Sequence, residues 1–161
     1  MGSHGHIIKV TQITAEAVIP MMGDHPYEIY MMPVAYAKLS GSSSYPEISG
    51  NVYFTKAREG TIVTAEVWNV TDEAKKPAQG FLGFHIHEGA VCAGNEKEPF
   101  ADTGAHYSRT KVLHPDHAGD LPPLLFTDGF AWMQVYTGRF TPEEIIGRTV
   151  ILHGMPADHL E

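Results

Sequence analysis

The sequence predicts an all-β domain, a sandwich or barrel, and three observations predict it. Runs rich in Val, Ile, Thr and aromatic residues recur at short intervals with turn residues between them. One run, TIVTAEVWNV at 61–70, alternates cleanly: Ile62, Thr64, Glu66 and Trp68 share one face, and Val63, Ala65, Val67 and Asn69 the other. Thr127-Asp128-Gly129 marks a hairpin turn between two further runs. A chain of 161 residues holds one such domain with a real core, and two would be cramped.

Each element follows in order. Residues 6–20 contain Ile8, Val10 and Ile13, a strand of poor regularity. MMGDHPYEIYMM then brings four methionines and His25. Thioether sulfur suits Cu(I), but methionine is more often flexible core filler, and that reading is favoured. Met-Gly-Ser-His at the start reads as a cloning remnant, so residues 1–32 form an N-terminal extension and 33–161 the domain proper. Strands are expected at 34–39, 48–55, 61–70, 81–88, 124–126, 130–136 and 149–153, with turns at 40–46 and 56–60. Residues 71–80 read as a polar loop, and Thr141-Pro-Glu-Glu as one helical turn.

Composition narrows the function. The formal charge of -8 argues against nucleic acid, which needs a basic surface. An anionic substrate would have to be met by local Lys or Arg. No apolar run approaches the roughly 18 residues that span a bilayer, and no secretory signal is evident. Cys92 is alone, so no intramolecular disulfide forms within this sequence and the compartment is left open.

The chemistry concentrates between Phe81 and Asp120, which holds five of the ten histidines and the one cysteine. His85 and His87, two apart on a strand, project from one face. His114, His117 and Asp120 follow at intervals of three among Pro and Gly, in a loop that can fold donors around one centre, and His106 stands between the two groups. Imidazole with a single carboxylate suits zinc or copper, not calcium or magnesium. A loop of about 30 residues inside a compact domain calls for a function or an organising ion. Hydrolytic zinc chemistry would need a glutamate base beside the metal. Glu88, directly after His87, points to the opposite strand face, which discounts it.

GFHIHEG, GAHY, HPDHAGDLPPL and IIGRTVILH, followed by Ala157-Asp158, resemble the Cu/Zn superoxide dismutases in order and approximate spacing over roughly residues 34–160. The resemblance implies an eight-stranded Greek-key β-barrel or flattened sandwich, here with an extra N-terminal segment. It implies copper held by His85, His87, His106 and His153, and zinc held by His106, His114, His117 and Asp120, with His106 as the bridging imidazolate and proton relay. The implied reaction is disproportionation of superoxide to oxygen and hydrogen peroxide as copper alternates between two oxidation states. His25 and His159 match no position of the pattern.

The sequence also departs from the family. Eight residues follow His153, none of them Arg or Cys. The family's arginine beside copper, the partner of Cys92, a second-shell aspartate and a closing strand have no counterpart. Activity is therefore expected below that of a complete enzyme, with Arg109, helped by Lys111, as the substitute for anion guidance. A barrel edge left open is expected to recruit residues 7–19, either within the chain or in a second copy, the latter making a homo-oligomer. The competing functions are a copper- or zinc-binding protein without dismutase activity, and a zinc-only structural domain.

Overall fold

A computed structural model describes residues 7–8, 12–15, 32–91 and 101–154. Among the described residues, nine strands form two antiparallel sheets. The first sheet holds, in spatial order, β2 (Thr14–Ala15), β3 (Ala35–Ser40), β4 (Ser49–Ala57), β5 (Gly60–Trp68) and β8 (Ala131–Thr137). The second holds β1 (Ile7–Ile8), β9 (Thr149–His153), β6 (Phe81–His87) and β7 (Asp120–Leu125). The chain leaves β5 for β6 in the other sheet, returns to place β8 beside β5, and leaves again to place β9 beside β6, the interlocked path of a Greek-key sandwich.

Alternation builds the core. Val63, Ala65 and Val67 of β5, Leu82, Phe84 and Ile86 of β6, and Val150 and Leu152 of β9 turn inward and are fully buried. The opposite face of β5 is also largely covered, because it lies in mid-sheet. Asn51 donates to Glu66 Oε1 at 3.3 Å, and Gln134 donates to Thr64 Oγ1 at 3.0 Å. A buried polar group costs little once paired in this way.

Two elements differ from expectation for identifiable reasons. β7 starts at Asp120, four residues before the predicted strand. Pro122 and Pro123 argue against a strand interior, yet β7 is a sheet edge and both prolines fall where its ladder with β6 is interrupted by a register shift between Leu82 and Phe84. The 71–80 segment contains a helical turn, α1 (Asp72–Lys75), capped by Thr71, whose Oγ1 accepts from the Ala74 N–H at 3.2 Å. The turn expected at Thr141 is α2 (Pro142–Ile145), and the Thr141 N–H donates to Glu144 Oε2 at 2.6 Å.

The described part of the 1–32 segment is joined to the domain on both sheets. Ile7 and Ile8 pair with His153 and Leu152, and Gln12 bridges to Thr149, so β9 has neighbours on both sides within one chain. Thr14 and Ala15 then pair with β3. Between them Ile13 is completely buried in the common core, donating to Arg148 O and accepting from the Gly147 N–H, both at 2.9 Å. The Met-rich run at 21–31, His25, Cys92 and residues 155–161, including His159, lie outside the described residues. Truncating Ile13→Ala is expected to destabilise the fold by about 2–5 kcal/mol in urea denaturation, as for a buried core side chain. A change under about 0.5 kcal/mol, the level of a surface substitution, would show that the segment is dispensable.

Candidate metal centre

The inward set on β6 dictates its outward set: with Leu82, Phe84 and Ile86 in the core, His85 and His87 must face away from it. Register then supplies neighbours. His85 stands opposite Asp120 of β7 on one side and Ile151 of β9 on the other. The histidine-rich loop is laced onto the same strand by Tyr107 N–H to Ile86 O at 2.7 Å and Ile86 N–H to Gly119 O at 2.9 Å. Glu88 N–H to Ala105 O and Gly89 N–H to Thr103 O continue the lacing at 2.9 and 2.7 Å. Gly119 is required here, because a Cβ would fall 2.3 Å from Ile86 O.

Six histidines and one aspartate converge. One donor nitrogen each from His85, His87, His106 and His153 lies within 4.8 Å of every other in that group. A second group with the same closeness is formed by His85, His106, His114 and Asp120. His106 belongs to both, its ring stacked on His85 at 4.1 Å between centroids. His117 joins through Asp120: its backbone N–H lies 2.9 Å and its Nδ1 3.1 Å from Asp120 Oδ2, while its own nitrogen is not among the four mutually close donors. The second group thus contains His85 in the place where sequence reasoning put His117.

Hydrogen bonds settle several ring orientations. Gly104 O can only accept, so His87 carries its proton on Nδ1, 2.8 Å away, and its Nε2 lone pair faces His153 Nε2 at 3.3 Å. His106 Nδ1 lies 2.7 Å from Asp120 Oδ1. His85 Nδ1 is buried with no hydrogen-bond partner, and His114 Nδ1 lies 3.2 Å from Asp120 Oδ2 without the geometry of a hydrogen bond. Burial, reinforced by neighbouring imidazoles, lowers His85 from 6.5 to about 2 and His153 to about 3. For His87, burial outweighs the Gly104 bond and lowers it to about 4. Burial alone would raise Asp120, but its bond to His106 and the surrounding histidines hold it below the ordinary carboxylate range. The centre gathers six imidazoles around one carboxylate, with His85, His87 and His153 held neutral by burial and a buried nitrogen of His85 left unpartnered: a donor set that fits transition-metal cations.

The cations are placed differently from expectation. Arg109 is held by Glu144, with Nε 2.9 Å from Oε1 and Nη2 on Oε2, which occupies the guanidinium that was to guide an anion. Lys111 is exposed. Arg139 lines a cavity of about 430 Å³ together with His85, His114, Asp120 and Tyr136. Arg148, missed by sequence reasoning, sits 3.9 Å over the Tyr107 ring and donates to Glu88 O at 3.2 Å, bracing the loop beside His106 and His87.

Residues 48–161 match the model of the copper/zinc superoxide dismutase family. The chain belongs to that family. A Cu-Zn superoxide dismutase of Photobacterium leiognathi is 27% identical over 122 residues, covering 68% of this chain and 66% of that protein. An extracellular Cu-Zn superoxide dismutase of Rattus norvegicus is 30% identical over 112 residues, covering 67% of this chain and 43% of that protein. The extracellular protein of Oryctolagus cuniculus is 28% identical over 117 residues, with 69% and 45% covered. The chain thus spans from under half to about two thirds of these relatives. Within the superoxide dismutase match fall all seven converging residues, whereas Ile13 and the segment that closes β9 lie before it.

Because Gly119 meets Ile86 O so closely, Gly119→Ala must push the loop off β6 and displace the adjacent Asp120. The metal-free protein is expected to lose about 1–3 kcal/mol, read by chemical denaturation. An unchanged midpoint would mean that the loop yields freely at this point.

Proposed function

We propose that this chain disproportionates two superoxide anions and two protons to one oxygen and one hydrogen peroxide. His85, His87, His106 and His153 would hold copper, and His106, His114, His117 and Asp120 zinc. The single observation that carries this is His106: like His85 it is common to both groups of close donors, and of the two it is the one whose Nδ1 is fixed on Asp120. Copper, when bound, supplies the one-electron redox chemistry, and zinc supplies a fixed charge and geometry.

The protein's own residues do the rest. His106 Nδ1 is committed to the Asp120 side, so Nε2 is the ring atom left to face His85, His87 and His153 and to hold and release a proton there. His87 is oriented by the Gly104 carbonyl, which keeps its Nε2 lone pair available. Anion guidance is weak, since Arg109 is neutralised by Glu144 and the chain carries a charge of -8. Turnover is accordingly placed well below the diffusional ceiling of about 10⁹ M⁻¹s⁻¹.

The test is superoxide decay in protein loaded with both metals, with metal content measured on the same sample. Two metals with activity, and a loss of at least about a hundredfold in His87→Ala, are expected. Two metals without activity would make the chain a metal-holding protein, and zinc alone a structural domain. The rate is also expected not to fall as salt rises, because an unsteered anion gains nothing from weak screening. A steep fall with salt would show that a cation on the surface does guide superoxide.

A further inference from the structure

We propose that Arg139 is a positioning residue for the zinc half of the centre, holding the 114–117 turn so that its histidines stay on Asp120. The inference rests on the two-metal reading above. Arg139 lies just beyond β8, in the opposite sheet from Asp120. Its Nη1 donates to Pro115 O at 2.6 Å and to His117 O at 3.1 Å, so one guanidinium nitrogen gathers two carbonyls of the turn. Nη2 lies 3.9 Å from Asp116 Oδ1 on the residue between them.

The turn is therefore pinned from both sides. On one side Asp120 Oδ2 accepts the His117 N–H and faces the Nδ1 atoms of His114 and His117 at 3.2 and 3.1 Å. On the other side Arg139 takes the carbonyls. Within the turn itself, Asp116 N–H to Leu113 O at 2.8 Å and Asp120 N–H to His117 O at 3.2 Å are the backbone bonds that shape it. With two residues separating His114 from His117, there is little local structure to orient the rings, and one arginine nitrogen supplies an anchor from beyond the end of β8.

Charge makes the proposal discriminating. A guanidinium close to a metal cation opposes that cation by Coulomb repulsion. If Arg139 acted through charge, removing it would tighten metal binding; if it acts by geometry, removing it loosens the zinc half alone. Ligand-supporting hydrogen bonds of this kind are typically worth about 10–100-fold in metal affinity.

Zinc and copper affinities are to be measured on the full chain by chelator competition in wild type, Arg139→Met and Arg139→Lys. The Co(II) absorption of the zinc half is the geometric readout. Arg139→Met is expected to weaken zinc by about 10–100-fold, to diminish the tetrahedral Co(II) bands, and to move copper less than about tenfold. Arg139→Lys is expected not to restore zinc binding, because its ammonium sits on a shorter side chain and falls short of the Nη1 position that both carbonyls share. Zinc affinity that is unchanged or tighter in Arg139→Met would overturn the inference. So would an equal loss of copper and zinc, or full rescue by lysine. A wild-type protein that takes no second metal would instead sink the two-metal reading itself, before any variant is compared.

Discussion

The Asp120 carboxylate is the point at which sheet and loop become one object. It opens β7 directly opposite His85, so the sheet register decides where its oxygens lie. Oδ1 faces His106, and Oδ2 takes the backbone and ring of His117 and faces His114. Burial opposes its charge, and those contacts together outweigh the burial. Remove the carboxylate and three imidazoles lose a shared partner, while the loop loses its tie to the strand.

The same register ties metal chemistry to core packing. His85 and His87 project where they do because Leu82, Phe84 and Ile86 are committed to the interior. A slip of one residue would bury the histidines and expose the apolar set, so the core's preference fixes the donors. Ile13 contributes from the far end of the chain: it fills the core beside β9, the strand that ends in His153. A segment that resembles a mere extension thereby supports the last of the converging histidines.

Much of this was legible in the sequence, and the failures share a cause. The alternating runs, the capped turn at Thr141 and the histidine spacings are local patterns, and all have local counterparts in the fold. The N-terminal strand read as irregular because it is two two-residue strands on different sheets, with Ile13 buried at the changeover; no period of two survives such a switch. β7 was hidden by Pro122 and Pro123, whose meaning depends on whether the strand is an edge. Nearness to His106 in sequence points to Arg109, but Glu144, 35 residues away, captures it. Arg139 stands in no motif, and its partners are backbone carbonyls, which carry no residue-type signal at all.

The energetics of the site explain why its loop holds together only as part of a larger arrangement. Protons are poor partners for this cluster: burial and mutual repulsion keep His85, His87 and His153 neutral far below 6.5. The unpartnered buried nitrogen on His85 costs about 1–3 kcal/mol by itself. A single proton satisfies one nitrogen and repels the others, whereas a transition-metal cation accepts several lone pairs at once. The free energy of filling such a site is therefore also free energy of folding, delivered to the loop between β6 and β7. Gly119, Arg148 and Arg139 have the complementary task of keeping the donors close before that energy is available. This is why the contacts that brace the loop come from β6, α2 and the end of β8, and not from the loop alone.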